Sequence, residues 1–275
     1  MSVPGPFPTS FPAARRRRRL LGDVDFSVFV CADVGLQVGP PGATRRLDEL
    51  RRFAELDADG ILLTQAALPT FAETLAARPE LTLVVRLDWC NQWRGPQLSP
   101  VADGVGVTVS TAAEAAASGA DAVIHYCLLG HGDPRVEADY VDRAARAVRD
   151  AHDVGLACIL EPLIRGTNAE GRERDAAHLM WGIRTAEELG ADAVKVEQPA
   201  DGDADRVIGS AGVPVLLAST PPISAADAVR RAAEGARAGA AGVAYSSDFF
   251  AAERPADLVA SIRSAALTPS RKDMS

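Results

Sequence analysis

Lysine is almost missing from this chain. Of the 29 Lys and Arg residues only Lys195 and Lys272 are lysines. Every other cation is arginine, which keeps its proton at ordinary pH. Cysteine is sparse too: Cys31, Cys90, Cys127 and Cys158 show no CxxC or other metal spacing, and three of them fall in apolar, strand-like runs. They read as reduced core thiols of a cytosolic protein. No His-rich cluster is present, so no metal site is expected. No apolar run approaches the ~20 residues of a membrane span, and Asp23, Asp25 and Asp33 interrupt the run that follows the basic cluster. A net charge of -8 and a pI near 5.1 leave most of the surface repelling a polyanion. Nucleic acid and membrane are excluded as partners, and a cytoplasmic location is expected.

What is present is material for one large core. The 275 residues, 47% of them hydrophobic, suit a single domain of barrel size. Residues 1–20 are rich in proline and end in Arg15 to Arg19. They read as a flexible basic arm without core-forming side chains, followed by one domain over 21–267 and a polar tail over 268–275.

Beyond the arm the chain alternates. A strand over Phe26 to Ala32, apolar on both faces, suits a parallel sheet covered by helices. Helical periodicity over Arg45–Leu56, Thr70–Arg78, Ala112–Ser118, Val136–His152, Glu173–Leu189, Asp203–Ser210 and Ala225–Ala238 leads each time into an apolar run, and a last helix spans Pro255–Ala266. The junctions repeat: Asp57-Ala58-Asp59-Gly60, Gly119-Ala120-Asp121-Ala122, Gly190-Ala191-Asp192-Ala193 and Gly239-Ala240-Ala241-Gly242. Such a glycine stops a helix in the left-handed conformation, and the small residues after it allow a tight turn into the next strand. About eight strand-then-helix units predict an α/β fold, a single (β/α)8 TIM barrel with a disordered basic N-terminal arm. Gly104–Ser110 is a candidate ninth strand. An open doubly wound sheet is the alternative, but the glycines of Asp33–Gly39 have the wrong spacing for a phosphate fingerprint.

In such a barrel the strands' carboxyl ends carry the chemistry. Those positions hold Asp33, Asp88, His125, Tyr126, Glu161, Lys195, Glu197, Ser219, Thr220, Ser246 and Ser247. Lys195 is the one that an apolar strand has no structural need for. A buried amine made neutral can attack a carbonyl and form a Schiff base, which requires its pKa to fall ~3 units from ~10.4. A structural ion pair with Glu197, at i+2 on the same face, is an equal alternative for the lysine. Helix capping is an equal alternative for the serines and the threonine.

The segments GADAVKVEQP (190–199), ADVGLQVGP (32–40), DGILLTQ (59–65), GADAVIHY (119–126) and GVAYSSDFF (242–250) resemble class I aldolases of the DeoC/FbaB type, the archaeal-type fructose-bisphosphate aldolase-like family. The resemblance spans about Val24 to Leu267 and is most specific around Lys195. It implies that Lys195 forms a covalent Schiff base with a ketone donor such as dihydroxyacetone phosphate, with no metal or other cofactor. It also implies that Asp33 orients the amine or a donor hydroxyl. Departures are equally informative. The family's tyrosine after strand five is absent from Leu163-Ile164-Arg165-Gly166, so Glu161 is the first candidate acid/base, with Tyr126 and His125 in reserve; pairing of Glu161 with Arg165 or Lys195 is the alternative. The family's Gly-Gly and Gly-Arg phosphate loops are replaced by Ser219-Thr220 and Ser246-Ser247, whose hydroxyls and helix-start N–H groups would hold one phosphate.

The composition and these eroded sugar-bisphosphate motifs are similar to the 2-amino-4,5-dihydroxy-6-oxo-7-(phosphooxy)heptanoate synthase type. That type joins dihydroxyacetone phosphate to L-aspartate 4-semialdehyde on a secondary-metabolite route to 3-amino-4-hydroxybenzoate. Arg165 or Arg94 would then meet the acceptor's carboxylate. The alternatives are a catabolic aldolase cleaving a sugar or sugar-acid phosphate, a thiolase-like acyl transferase using Cys127 or Cys90 with coenzyme A, and a noncatalytic sugar-phosphate-binding regulator. A homo-oligomer is expected.

Overall fold

The structure is a computed structural model and describes residues 11–37, 46–93, 101–218 and 224–267. The chain runs through α1 (Phe11–Leu21), β1 (Ser27–Cys31), α2 (Val34–Gln37), β2 (Gly60–Thr64), α3 (Leu68–Ala76), β3 (Thr82–Arg86), β4 (Asp88–Cys90) and β5 (Gly106–Thr108). It continues through α4 (Ala112–Ala117), β6 (Ala122–Leu129), α5 (Pro134–Asp153), β7 (Ala157–Ile164), α6 (Ala176–Glu188) and β8 (Ala193–Glu197). Last come α7 (Ala204–Ile208), β9 (Val215–Ala218), α8 (Ala225–Arg237), β10 (Gly242–Tyr245), α9 (Ser247–Ala251) and α10 (Pro255–Ala266).

Eight parallel strands close in the order β1-β10-β9-β8-β7-β6-β3-β2, which is the expected (β/α)8 barrel. Period-two alternation divides each strand between two cores. Phe29, Cys31, Leu62, Val84, Ile124, Ile159, Ala193, Leu216 and Ala244 fill the interior, while their neighbours, such as Val28, Val30, Val123, Val194 and Val196, pack under the helices. The candidate ninth strand lies outside the barrel: β5 pairs antiparallel with β4 in a separate ribbon. Eight strands already satisfy the ring's edges, so this segment has no free barrel edge to join. The helix expected over 45–56 is a shorter 3-10 segment, Leu47–Phe53, and residues 38–45 lie outside the described residues.

The expected arm divides in two. Residues 1–10 are outside the described residues, but Phe11–Leu21, with all five arginines, forms helix α1. This corrects the reading of 11–20 as flexible. Leu20 is fully buried among the interior side chains at the amino ends of the strands. Around it the arginine run meets the junction aspartates, Arg16 on Asp192 at 3.0 Å and Arg19 on Asp121 at 3.8 Å. One buried leucine and this acidic rim supply the anchor that composition alone hides.

The junctions behave as expected and do more. Gly119, Gly190 and Gly239 have φ of 84°, 94° and 90°, and the N–H groups of Ala120, Ala191 and Ala240 close the helix ends onto the carbonyls of Ala115, Ala186 and Gly235. Three junction aspartates also accept an N–H from the neighbouring strand: Val28 to Asp59 at 2.7 Å, Leu83 to Asp121 at 3.0 Å and Cys158 to Asp192 at 3.1 Å. These carboxylates satisfy strand-start donors that the staggered ring leaves free.

Candidate active site

Lys195 sits on the inward face of β8, between the outward Val194 and Val196. Its Nζ donates to Glu161 Oε1 at 2.7 Å, with the two side chains only 11% and 5% exposed. Glu161 stands on β7, where the register Ile159↔Ala193 and Leu160↔Val194 brings it beside the lysine. The pairing of Lys195 with Glu197 does not form, because laterally adjacent strands bring side chains closer than an i+2 step along one strand.

The second oxygen of Glu161 is held by Arg86, the last residue of β3. Arg86 Nη2 donates to Glu161 Oε2 at 2.8 Å and Nε to Asp33 Oδ2 at 3.0 Å, while Nη1 lies 3.5 Å from Asp88 Oδ1. Its guanidinium is 4.1 Å from the ring centre of Tyr126. The side chain is 1% exposed, so three carboxylates, from the end of β1, β4 and β7, converge on one planar cation with no access to solvent.

Charge at the lysine runs opposite to expectation. Burial pulls the Lys195 pKa down, but Glu161, with smaller help from Cys31 and Asp33, more than offsets it and the net shift is upward. Burial pushes Glu161 up, yet Lys195 and Arg86 together hold it below the usual glutamate range. The resting amine is therefore an ammonium in a buried pair, not the neutral amine expected from burial alone. Sequence spacing shows the apolar strand around a lysine but not the carboxylate that arrives from the next strand.

Among the other expected site residues, Asp33 ends β1 inside the barrel but is bound to Arg86, and no hydrogen bond joins it to Lys195 among the described residues. Tyr126 points inward, its hydroxyl accepting from Trp93 Nε1 at 3.1 Å, and burial pushes its pKa well up. His125 stands at the edge of this group, its Nδ1 3.5 Å from Asp88 Oδ2. As the neighbour of inward Tyr126 it faces the helix shell, beside Asp139, Arg143 and Ala147 of α5. Arg165 is bound to Glu197 and lies 5.2 Å over the Trp93 ring. Ser246 occupies the cap position of α9, but its side chain makes no capping hydrogen bond; Ser247 is the first residue of that helix. Ser219, Thr220 and Arg94 lie outside the described residues. The cysteines proposed for acyl transfer, Cys90 and Cys127, are buried, and burial pushes both thiols up to about 12, which argues against thiolate chemistry.

Two neighbours of the site escaped the sequence reading: Arg86 and Trp93. Arg86 had a faint signal, a charged residue closing the apolar strand Thr82–Arg86. Trp93 had none. A cleft of about 710 Å³ opens beside Glu197 and Arg165, between the segments that follow β7 and β8. A second, of about 350 Å³, reaches Asp33 from the ends of β1 and β2. No helix among the described residues is long and apolar enough to cross a membrane.

A parallel eight-stranded barrel whose buried charges gather toward the strands' carboxyl ends is the architecture of the barrel enzymes. The family model described as DeoC/LacD family aldolase matches residues 48–252. The chain belongs to this aldolase family. An uncharacterized aldolase of Saccharolobus solfataricus is 27% identical over 249 residues, 90% of this chain and 91% of that protein. A 2-amino-3,7-dideoxy-D-threo-hept-6-ulosonate synthase of Halobacterium salinarum is 29% identical over 153 residues, 55% of this chain and 56% of that one. Among solved structures, a Schiff-base-forming fructose-1,6-bisphosphate aldolase superposes with a TM-score of 0.75 at 21% identity, covering 92% of this chain and 98% of that one. An archaeal fructose-1,6-bisphosphate aldolase, with its catalytic lysine covalently bound to the carbinolamine intermediate, gives 0.74 at 20% identity, covering 92% and 99%. These two likenesses are of fold.

Proposed function

We propose that this protein is a class I aldolase that joins a ketone donor, dihydroxyacetone phosphate, to an aldehyde through a Schiff base on Lys195. The observation that carries this reading is the buried hydrogen bond from Lys195 Nζ to Glu161 Oε1, because it gives the ammonium a direct route for losing its proton. Transfer to Glu161 leaves a neutral amine and a carboxylic acid. The amine attacks the ketone, and Glu161 returns the proton to the carbinolamine hydroxyl, which departs as water. The protonated imine then acts as an electron sink. Glu161, a carboxylate again, removes a proton from the adjacent carbon, and the resulting enamine attacks the aldehyde, whose oxygen takes that proton back from Glu161. Water adds to the new imine and frees the product and the amine. Arg86 holds Glu161 in place throughout by its second oxygen, so the carboxylate is oriented before substrate arrives.

For the acceptor, L-aspartate 4-semialdehyde is the substrate we favour, giving 2-amino-4,5-dihydroxy-6-oxo-7-(phosphooxy)heptanoate. Support comes from the Halobacterium salinarum relative, a synthase named for a 2-amino seven-carbon product. Ser246 and Ser247, near the carboxyl end of β10, are the described candidates for the donor's phosphate. Borohydride reduction with dihydroxyacetone phosphate tests the covalent step. The expected result is a mass increase confined to the peptide containing Lys195; no increase supports a binding protein instead. An aldehyde panel followed by product mass tests the acceptor.

A further inference from the structure

We infer that Glu197 selects the acceptor aldehyde, its free Oε2 taking a hydrogen-bond donor, a hydroxyl or an ammonium, on that substrate. The inference rests on the Schiff-base reading of Lys195 and adds to it the side of the site that faces the second substrate.

Glu197 ends β8 on the same inward face as Lys195, two residues nearer the mouth, a step of about 6–7 Å along a strand. Its residue is 3% exposed and it borders the larger cleft. One oxygen, Oε1, is bound by Arg165; the other, Oε2, is buried and has no hydrogen-bond partner among the described residues. Leaving a buried carboxylate oxygen unmatched is costly, and native interiors seldom do so without a ligand or a functional reason. Arg165 is not placed to serve both oxygens. Its guanidinium lies over Trp93, and Nη1 donates to the Ile164 carbonyl at 2.9 Å.

The rest of the cleft argues for a hydroxylated or aminated occupant over a phosphate ester. Arg174 is committed to the carbonyls of Gln198 and Pro199 at 2.8 and 2.7 Å, and Arg206 is exposed; neither has an ion pair among the described residues. The four carboxylates of Glu173, Asp175, Glu197 and Asp203 outnumber the three guanidiniums of Arg165, Arg174 and Arg206. In agreement, burial raises the Glu197 pKa to about 6, Arg165 offsetting only part of it. A donor from the substrate would restore the missing partner.

The test uses the full chain, dihydroxyacetone phosphate and three acceptors of nearly equal size: glycolaldehyde, aminoacetaldehyde and propanal. Wild type is expected to favour at least one of the first two over propanal by tenfold or more in kcat/KM. Glu197→Met is expected to erase that ratio, whatever general loss follows from unpairing Arg165. Glu197→Gln keeps an oxygen acceptor without the charge: loss with aminoacetaldehyde alone assigns an ammonium, and retained preference for glycolaldehyde assigns a hydroxyl. A wild type that treats the three aldehydes alike overturns the inference even if neither variant folds, as does a folded Glu197→Met that keeps the ratio. Borohydride trapping of dihydroxyacetone phosphate on Lys195 runs in parallel. Trapping without discrimination removes only the role of Glu197; absence of trapping in wild type removes the Schiff-base reading and this inference together.

Discussion

Glu161 lies between two cations and divides its oxygens between them, Oε1 to Lys195 at 2.7 Å and Oε2 to Arg86 at 2.8 Å. A carboxylate so placed is both proton acceptor and fixed support. Replacing it by an amide keeps the shape and removes the basicity. Glu161→Gln is therefore expected to lower kcat by about 10² to 10⁴, and to slow borohydride trapping of the donor on Lys195 without abolishing it. Lys195→Arg should abolish trapping. Stopped-flow quench with borohydride, followed by peptide mass, separates the two effects.

Arg86 is the one cation in contact with Asp33, Asp88 and Glu161 together. Arg86→Met strands these charges in the barrel, and the expected loss of folding stability is about 3–5 kcal/mol. Arg86→Lys should recover little of it, since a single ammonium cannot span three directions in one plane. Urea unfolding midpoints at neutral pH check both.

The two glutamates of the site should titrate in opposite senses. Glu161 is held below its ordinary value once the cations overcome burial, so its contribution to stability is full above the unfolded glutamate value of about 4.3 and is lost as pH falls through the lower folded value. Glu197 is raised to about 6. Its contribution is full below the unfolded value and is lost as pH rises through about 6, a swing of about 2 kcal/mol. Wild type should accordingly lose stability relative to Glu197→Gln between pH ~4 and pH ~7, half of the loss being complete midway between the unfolded and folded values, at about pH 5. Denaturation at a series of pH values, together with carbon-detected NMR titration of the two carboxyls, measures both trends.

Helix α1 predicts an effect at the opposite end of the barrel. Leu20 is 0% exposed within the interior core, and Leu20→Ala should cost about 2–5 kcal/mol. Arg18, whose partner Asp23 is equally exposed at 73%, should tolerate alanine within about 0.5 kcal/mol. Thermal unfolding of the two variants compares them directly. Equal tolerance would return α1 to the status of a loose arm.

Much of the barrel was legible because its signals are local. A helix period and a strand period are written in adjacent residues, and a glycine such as Gly190 must stand where φ is 94°. Alternation alone also separates Tyr126 from His125: consecutive strand residues point to opposite faces, a rule that turns the histidine toward the helices once the inward face is known. The strand-like look of Gly104–Ser110 was legible as well, but its partner was not, because Asp88–Cys90 pairs with it antiparallel outside the ring.

By itself the sequence determined the order of the elements, the tight turns between them and the solitary lysine inside an apolar strand, since these depend on spacing along one chain. Only the tertiary structure decided which charges meet. Arg86, Glu161 and Lys195 are separated by 75 and 34 residues along the chain, yet hydrogen-bond in series across the barrel. Burial would have stripped the lysine of its proton, and a carboxylate delivered by the neighbouring strand keeps it there. That outcome depends on the lateral register of the strands and on Coulomb attraction in a poorly solvated interior, neither of which is encoded within any single segment.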